Sequence, residues 1–170
     1  MVLYTNNNNI DMHNIVLSGY CDSDWGGDKN DHKSTTGYTV FVNDNIVSWN
    51  TKKQATVALS TAEAELMSLV ELAKEIMWYQ QLFSELHIHI HTPTSIYIDN
   101  QAAIAMVMND VAHDRSKHIN VRHNFIKDAV NRGEIELKWI STENQIADIF
   151  TKNLGTNLFT RFRDRMMKSF

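Results

Sequence analysis

Apolar residues in the first third of the chain follow the pattern of β-strands. The run "NIVLSGYCD" (14–22) is apolar in its first half, which is typical of a buried strand. Two further runs rich in β-branched and aromatic residues, "GYTVFV" (37–42) and "IVSWN" (46–50), flank the short turn "NDN". Strand-forming runs on both sides of an Asn/Asp turn predict a β-hairpin. We expect the third strand to continue irregularly into "TKKQATVAL" (51–59).

From Ser60 onwards the apolar residues recur at the spacing of an α-helix. This spacing predicts one long amphipathic helix from Ser60 to about residue 86. The later elements alternate between strands and helices. They are a strand "SIYID" (95–99), a short helix "NQAAIAMVM" (100–108), a helix "KHINVRHNFIKDAVNRG" (117–133) stopped by Gly133, a strand "EIELKWI" (134–140) and a final helix "TENQIADIFTKNL" (142–154).

The order of these elements predicts an α/β fold. Three strands joined by short turns and then two strands separated by helices indicate a mixed five-stranded sheet flanked by helices, with three antiparallel strands followed by two parallel ones. Residues 1–14 contain four consecutive asparagines and little apolar periodicity, so we interpret them as a linker or frayed lead-in. Residues 15–170 are expected to form a single domain.

Composition and charge narrow the possible functions. Cys21 is the one cysteine among 170 residues, so no intrachain disulfide can form, which fits a reducing intracellular compartment. No apolar run of about 18 residues is present, so no membrane partner is predicted. The net charge is −4, but residues 113–132 hold five basic and two acidic side chains, a local charge of +3. A basic patch of this kind favours a nucleic-acid partner.

Carboxylates follow two of the predicted strands. Asp22 and Asp24 lie where the first strand ends, and Asp99 ends "SIYID". Catalytic residues of α/β sheets gather beyond the carboxyl ends of strands. Strand alternation puts Asp22 and Asp24 on the same face, so periodicity does not distinguish between them.

Two further carboxylates lie on predicted helices. Ser60 to Glu63 fits a capping box, which gives Glu63 a structural role, whereas Glu65 has none and lies about 60° from the centre of the apolar stripe. Thr142 to Gln145 fits a second capping box. Asp148 lies in an otherwise apolar turn, where it is either a solvent-facing helix residue or one member of a group of carboxylates.

Clustered carboxylates repel one another unless cations neutralise them. Oxygen ligands suit Mg²⁺ or Mn²⁺. Two such ions about 4 Å apart can activate a water molecule and stabilise the leaving oxygen of a phosphodiester. An acidic cluster beside a basic surface therefore indicates hydrolysis of a nucleic acid.

The carboxylates belong to longer motifs: "GYCDSDWGGDKNDHKSTTGYTVFV", "IVSWNTKKQATVALSTAEAEL", "IYIDNQAAI", "HDRSKHINVRHNFIKD" and "NQIADIFTKNL". In this order, from about Gly19 to Leu154, they resemble the ribonuclease H domain of copia-type (LTR) retrotransposon polyproteins. The resemblance implies a ribonuclease H-like fold and an enzyme that hydrolyses the RNA strand of RNA–DNA hybrids during reverse transcription.

The resemblance also implies a cofactor, a partner and a set of site residues. It implies two Mg²⁺ ions, for which Mn²⁺ can substitute, and a reverse transcriptase domain of the same polyprotein as partner. It places the protein in the cytoplasm and within retrotransposon particles. Matched motif by motif, the catalytic residues and metal ligands are Asp22, Glu65, Asp99 and Asp148. Asp24 then becomes a turn residue or an outer-sphere helper.

Substrate contacts are predicted from the resemblance and from the basic patch. Gln101 resembles a family position that contacts the minor groove of the hybrid, where 2′-hydroxyl groups identify RNA. A solvated helix face would explain any one of the nearby basic residues, but their clustering favours a surface that contacts phosphates. These residues are Arg115, Lys117, His118 and Arg122. For Lys52 and Lys53, contact with nucleic acid and plain surface charge both remain open.

One departure from the family pattern leaves alternatives open. Many ribonucleases H carry a histidine between the last strand and last helix, but "WISTENQ" has none, and His118 is a candidate to replace it. A catalytically silent domain of this fold that binds nucleic acid or tethers a polymerase is the main alternative. A transposase or integrase of related fold would use three carboxylates, and the glutamate that precedes the second aspartate fits ribonuclease H better.

Overall fold

A computed structural model describes residues 15–109 and 117–167 of the chain. Segment 1–14, predicted to be a linker or frayed lead-in, and Arg115 lie outside the described residues. The first three elements are the strands β1 (Leu17–Asp24), β2 (Thr35–Val42) and β3 (Asn45–Lys53). Asn43 and Asp44 join β2 to β3 with φ of 47° and 61°, so the predicted hairpin turn uses two residue types that tolerate the left-handed region.

The other elements follow the predicted alternation as far as β5. They are α1 (Thr61–Glu85), β4 (Thr94–Ile98), α2 (Gln101–Met108), α3 (Lys117–Asn131), β5 (Ile135–Trp139), two short 3₁₀ helices (Thr142–Asn144 and Ile146–Phe150) and α4 (Thr156–Met166). No helix among the described residues is long and apolar enough to cross a bilayer.

Local capping signals explain where the long helices begin and end. The Ser60 hydroxyl accepts a hydrogen bond from the Glu63 N–H at 3.1 Å, which confirms the predicted start of α1. The Glu63 carboxylate accepts a hydrogen bond from the Leu59 N–H. A capping box would instead use the N–H of Ser60, one residue later. Gly133, with φ of 68°, follows the end of α3, as predicted.

The five strands form one mixed sheet in the order β3-β2-β1-β4-β5. β1 pairs antiparallel with β2, and β2 with β3, whereas β1/β4 and β4/β5 are parallel. The predicted architecture is therefore confirmed. Successive β1 residues point to opposite faces: Cys21 joins the core that α1, α2 and α3 cover, and Tyr20 joins a second cluster that includes Ile146 and Phe162.

The prediction of one final helix over 142–154 is wrong. The segment instead forms two 3₁₀ helices, between which Gln145 is fully buried. The Gln145 amide donates to the carbonyls of Cys21 in β1 at 3.0 Å and Tyr97 in β4 at 3.4 Å. These contacts with the sheet hold the segment in a shape that an isolated helical pattern does not anticipate.

The second capping box, Thr142 to Gln145, is also wrong. Ser141 precedes the first 3₁₀ helix without a side-chain cap, and the Thr142 hydroxyl donates to Asp99 instead. The helix α4 was not predicted at all. Its signal was present, because Leu158, Phe162 and Met166 recur every four residues and pack on the second apolar cluster.

Candidate active site

Three aspartates meet at the carboxyl ends of β1 and β4. Tyr20 pairs with Tyr97 in the parallel register, so Asp22 and Asp99 each follow the pair by two residues on neighbouring strands. Asp148 comes from the second 3₁₀ helix. One carboxylate oxygen from each of Asp22, Asp99 and Asp148 lies within 4.8 Å of the others. Asp22 and Asp148 are 1% and 2% exposed.

Asp24 does not belong to this group. It ends β1, and its carbonyl accepts a hydrogen bond from the Gly27 N–H in the turn that follows.

Glu65 reaches the same region from α1. Glu65 is 5% exposed and therefore buried, although it lies about 60° from the centre of the apolar stripe. Oε1 accepts a hydrogen bond from the Ser23 N–H at 3.1 Å, next to Asp22 in β1. Oε2 is buried, and within the described residues it has no hydrogen-bond partner. Burial first, and then the charges of Asp22 and Asp99, raise the pKa of Glu65 well above its usual value.

Two residues that the sequence reasoning missed donate hydrogen bonds to the aspartates. The Lys152 Nζ lies 3.1 Å from Oδ1 of Asp22 and 2.9 Å from Oδ1 of Asp148. The Thr151 hydroxyl donates to Oδ2 of Asp22. Lys152 follows Asp148 by four residues, and that spacing was a visible sign of an ion pair between them. The contact with Asp22, 130 residues away along the chain, needed the fold.

The electrostatics of this cluster favour a cation. Burial, followed by the charge of Asp22, raises the pKa of Asp148 to about 6, although Lys152 acts in the opposite direction. Burial by itself would lower the pKa of Lys152, but Asp22 and Asp148 raise it above its usual value. Lys152 is therefore an ammonium ion at neutral pH, and it neutralises only part of the negative charge of the three clustered aspartates.

Buried polar contacts hold the acidic residues in place. The Ser68 hydroxyl lies 2.7 Å from the carbonyl of Asp22 and 3.1 Å from that of Gly37, which ties α1 to β1 and β2. The Thr142 hydroxyl donates to Oδ2 of Asp99 at 2.7 Å. Gln145, anchored to both strands, precedes Asp148 by three residues and so positions it.

The predicted substrate-binding residues are only partly described. Gln101 is the exposed first residue of α2, two residues after Asp99. Lys117 is exposed at the start of α3. His118 lies in the same turn, but its side chain falls outside the described part of the structure. Arg122 lines a groove of about 330 Å³ between α1, α3 and the end of β3, together with Lys52 and Lys53.

The chain has sequence relatives among retrotransposon polyproteins. No protein-family model matches the chain. The chain is 38% identical over 152 residues to the retrovirus-related Pol polyprotein from transposon RE1 of Arabidopsis thaliana, and 38% identical over 144 residues to that from transposon TNT 1-94 of Nicotiana tabacum. These alignments cover 89% and 85% of this chain but 10% and 11% of the polyproteins. The chain thus spans about a tenth of the length of these curated relatives.

Superposition on solved structures identifies the fold. LC11-RNase H1, crystallised in complex with an RNA/DNA hybrid, superposes with a TM-score of 0.59 at 9% sequence identity, over 79% of this chain and 93% of that one. RNase H1 from Halobacterium salinarum gives a TM-score of 0.52 at 12% identity with the same coverage. The chain has the ribonuclease H fold. Together with the polyprotein relatives, this fold confirms the resemblance to the ribonuclease H domain of a retrotransposon polyprotein.

Proposed function

We propose that the chain is a metal-dependent endoribonuclease that hydrolyses the RNA strand of RNA–DNA hybrids during reverse transcription of a retrotransposon. The observation that carries the proposal is the convergence of Asp22, Asp99 and Asp148 within 4.8 Å, at the carboxyl ends of adjacent parallel strands of a ribonuclease H fold. That LC11-RNase H1 was crystallised with an RNA/DNA hybrid supports the choice of substrate.

The residues at this site fit divalent cations. All four side chains offer carboxylate oxygens, the ligands that Mg²⁺ and Mn²⁺ prefer. Oε2 of Glu65 is buried without a partner within the described residues, so the ionised form of Glu65 is costly there unless a cation compensates it. Asp22, Glu65, Asp99 and Asp148 would hold two Mg²⁺ ions, and Mn²⁺ would substitute for them.

The chain's own residues prepare the site for hydrolysis. When bound, such ions activate a water molecule and stabilise the leaving oxygen of a phosphodiester, so that the cut RNA ends in a 3′-hydroxyl group. Thr142 orients Asp99 through its hydrogen bond, and Ser68 holds the β1 backbone at Asp22. The burial of Asp22 and Asp148 excludes water and strengthens their electrostatic interactions with the reacting group.

The groove beside α1 and α3 is a candidate surface for the nucleic-acid backbone. Lys52, Lys53 and Arg122 line it, and Thr36, another lining residue, pairs in the sheet with Ser23, the residue after Asp22. The Lys53 Nζ pairs with Asp28 and Asp31, so its charge is largely compensated. In the described part of the chain neither Lys52 nor Arg122 has a carboxylate partner. These two are therefore available to contact phosphates.

Other predicted contacts extend this surface. Gln101 is exposed two residues after Asp99, where an amide can contact the minor groove of a hybrid. Arg115, Lys117 and His118 precede or begin α3 and remain part of the proposed phosphate-binding surface. The partner that we propose is the reverse transcriptase domain of the same polyprotein, because the relatives are about ten times longer than the matched segment. The proposed location is the cytoplasm, within retrotransposon particles.

A cleavage assay tests the proposal. The purified chain is incubated with Mg²⁺ and an RNA–DNA hybrid, single-stranded RNA or a DNA duplex, each end-labelled, beside an Asp99→Asn variant. We expect cleavage of the hybrid alone, with a loss of about 100-fold or more in the variant because one carboxylate ligand is removed. Equal cleavage by both proteins would overturn the proposal. Binding of the hybrid without cleavage would favour the silent domain, and cleavage of the DNA duplex would favour an integrase-type enzyme.

A further inference from the structure

The Lys152 ammonium group occupies a cation position within the carboxylate cluster. Its Nζ lies 3.1 Å from Asp22 and 2.9 Å from Asp148, and both partners are almost completely buried. The Lys152 side chain itself is 34% exposed, so it reaches the carboxylates from the surface. With Thr151 on Oδ2 of Asp22, both oxygens of that carboxylate accept a hydrogen bond from the segment that follows Asp148.

From this arrangement we propose that Lys152 is a built-in counter-ion that competes with divalent metal for the Asp22–Asp148 side of the site. The inference rests on the proposed function, since it concerns the same carboxylates. A metal ion that binds to Asp22 and Asp148 meets a positive charge at hydrogen-bonding distance from both. Like charges at such separations repel strongly in a buried setting. The metal must therefore displace Lys152 from this position.

The Lys152 side chain can move out of its position beside Asp22 and Asp148. Lysine is a point charge on a flexible four-carbon stem, and this one is already one-third exposed. In its inward position it compensates carboxylates that would otherwise repel one another in the metal-free protein. In the metal-bound protein that role passes to the ion. Lys152 is thus a positioning residue that keeps the site assembled before metal arrives and sets the metal concentration at which the site fills.

This role predicts two effects of opposite sign. Lys152→Met removes compensation from the metal-free site, so the melting temperature in EDTA should fall. The same change removes the competitor, so the affinity for metal should rise on the order of tenfold or more. A purely structural role predicts only the first effect, with no gain in metal affinity.

The experiment uses Mn²⁺ as its probe, because the electron paramagnetic resonance signal of free Mn²⁺ reports affinity and stoichiometry without any enzyme turnover. The wild type, Lys152→Met and Lys152→Arg are titrated at constant ionic strength, and their melting temperatures are recorded in EDTA. Lys152→Arg keeps the charge and should bind Mn²⁺ as the wild type does. Lys33→Met is the matched control, since Lys33 is 33% exposed and lies 3.7 Å from Asp31, outside the site.

If Lys152→Met fails to fold, Lys152→Gln takes its place, because an amide can still donate to Asp22 while lacking the charge. Tighter Mn²⁺ binding by the neutral variants alone would support the inference. Unchanged or weaker binding by them, with binding by the wild type intact, would overturn this inference and leave the proposed function standing. Absence of Mn²⁺ binding in the wild type and in all variants would overturn both.

Discussion

Gly37 in β2 allows the segment that carries Asp148 to approach the sheet. In the register of the strands, Gly37 lies between Asp22 of β1 and Thr51 of β3. A Cβ atom at Gly37 would lie 2.5 Å from Cγ2 of Thr151 and 2.9 Å from Cβ of Phe150. Both distances are shorter than real Cβ contacts. Gly37→Ala therefore forces the segment that holds Asp148 and Thr151 away from Asp22.

The size of the effect follows from these distances. Carbon atoms in contact are about 3.5 Å apart, so the segment must retreat by about 1 Å. Such overpacking costs about 1–3 kcal/mol of the free energy of unfolding. In a domain of this size that cost lowers the melting temperature by about 2–12 °C. A displacement of about 1 Å at reacting groups lowers the cleavage rate by about 100-fold.

The assay measures thermal unfolding and hybrid cleavage for the wild type, Gly37→Ala and Gly155→Ala. Gly155 is the matched control, because a Cβ there would meet nothing within 4 Å. Gly155 is the N-cap of α4, where alanine is less favourable than glycine, so we expect Gly155→Ala to lose at most about 1 kcal/mol of stability and to cleave the hybrid as the wild type does. Wild-type stability and cleavage in Gly37→Ala would refute the idea that this close contact positions Asp148.

Three further predictions concern the pH dependence and the polar contacts of the site. Because the pKa of folded Asp148 is raised from 3.8 to about 6, stability in EDTA should fall by up to about 3 kcal/mol as the pH rises through that interval. Urea unfolding at pH 4 and pH 7 measures this loss, which Asp148→Asn should reduce but not abolish, because the raised pKa of Glu65 contributes a loss of the same sign; an equal loss in the variant and the wild type would contradict the assignment. Gln145→Leu should cost about 1–3 kcal/mol in the same assay, because it removes the donor to the buried carbonyl of Cys21 and to the half-buried carbonyl of Tyr97; a loss below about 0.5 kcal/mol would argue against it. Thr142→Val should slow hybrid cleavage several-fold while Thr142→Ser retains it, since only serine preserves the hydroxyl that donates to Asp99; equal rates would show that this bond does not orient Asp99.

Local chemistry explains why much of the fold was predictable. The Asn43–Asp44 turn, the Ser60 cap and the Gly133 stop are each set by one or two residues, and each is found where the sequence indicated. The region 142–154 has no comparable local determinant. Its shape depends on the hydrogen bonds of Gln145 to two strands, and such tertiary contacts do not appear in a helical periodicity.

In the candidate site, too, some features were predictable from the sequence and others were not. Asp22 and Asp99 were predictable because strand ends are visible in the sequence, and parallel strands bring their ends together. The capping pattern predicted a structural role for Glu63, and its carboxylate does accept a hydrogen bond just before α1, whereas Glu65 reaches towards β1. The contact of Lys152 with Asp22 was not predictable, because the two residues come from distant parts of the chain and meet only after the last segment folds onto β1.

We propose that this chain cuts the RNA strand of a hybrid with the help of divalent metal. The most direct measurement follows one hybrid whose RNA and DNA strands carry different fluorophores, incubated with the wild-type chain in Mg²⁺ or in EDTA. We expect a shortened RNA strand and an intact DNA strand in Mg²⁺, and no cleavage in EDTA. Cleavage of both strands, or cleavage of RNA that persists in EDTA, would contradict it.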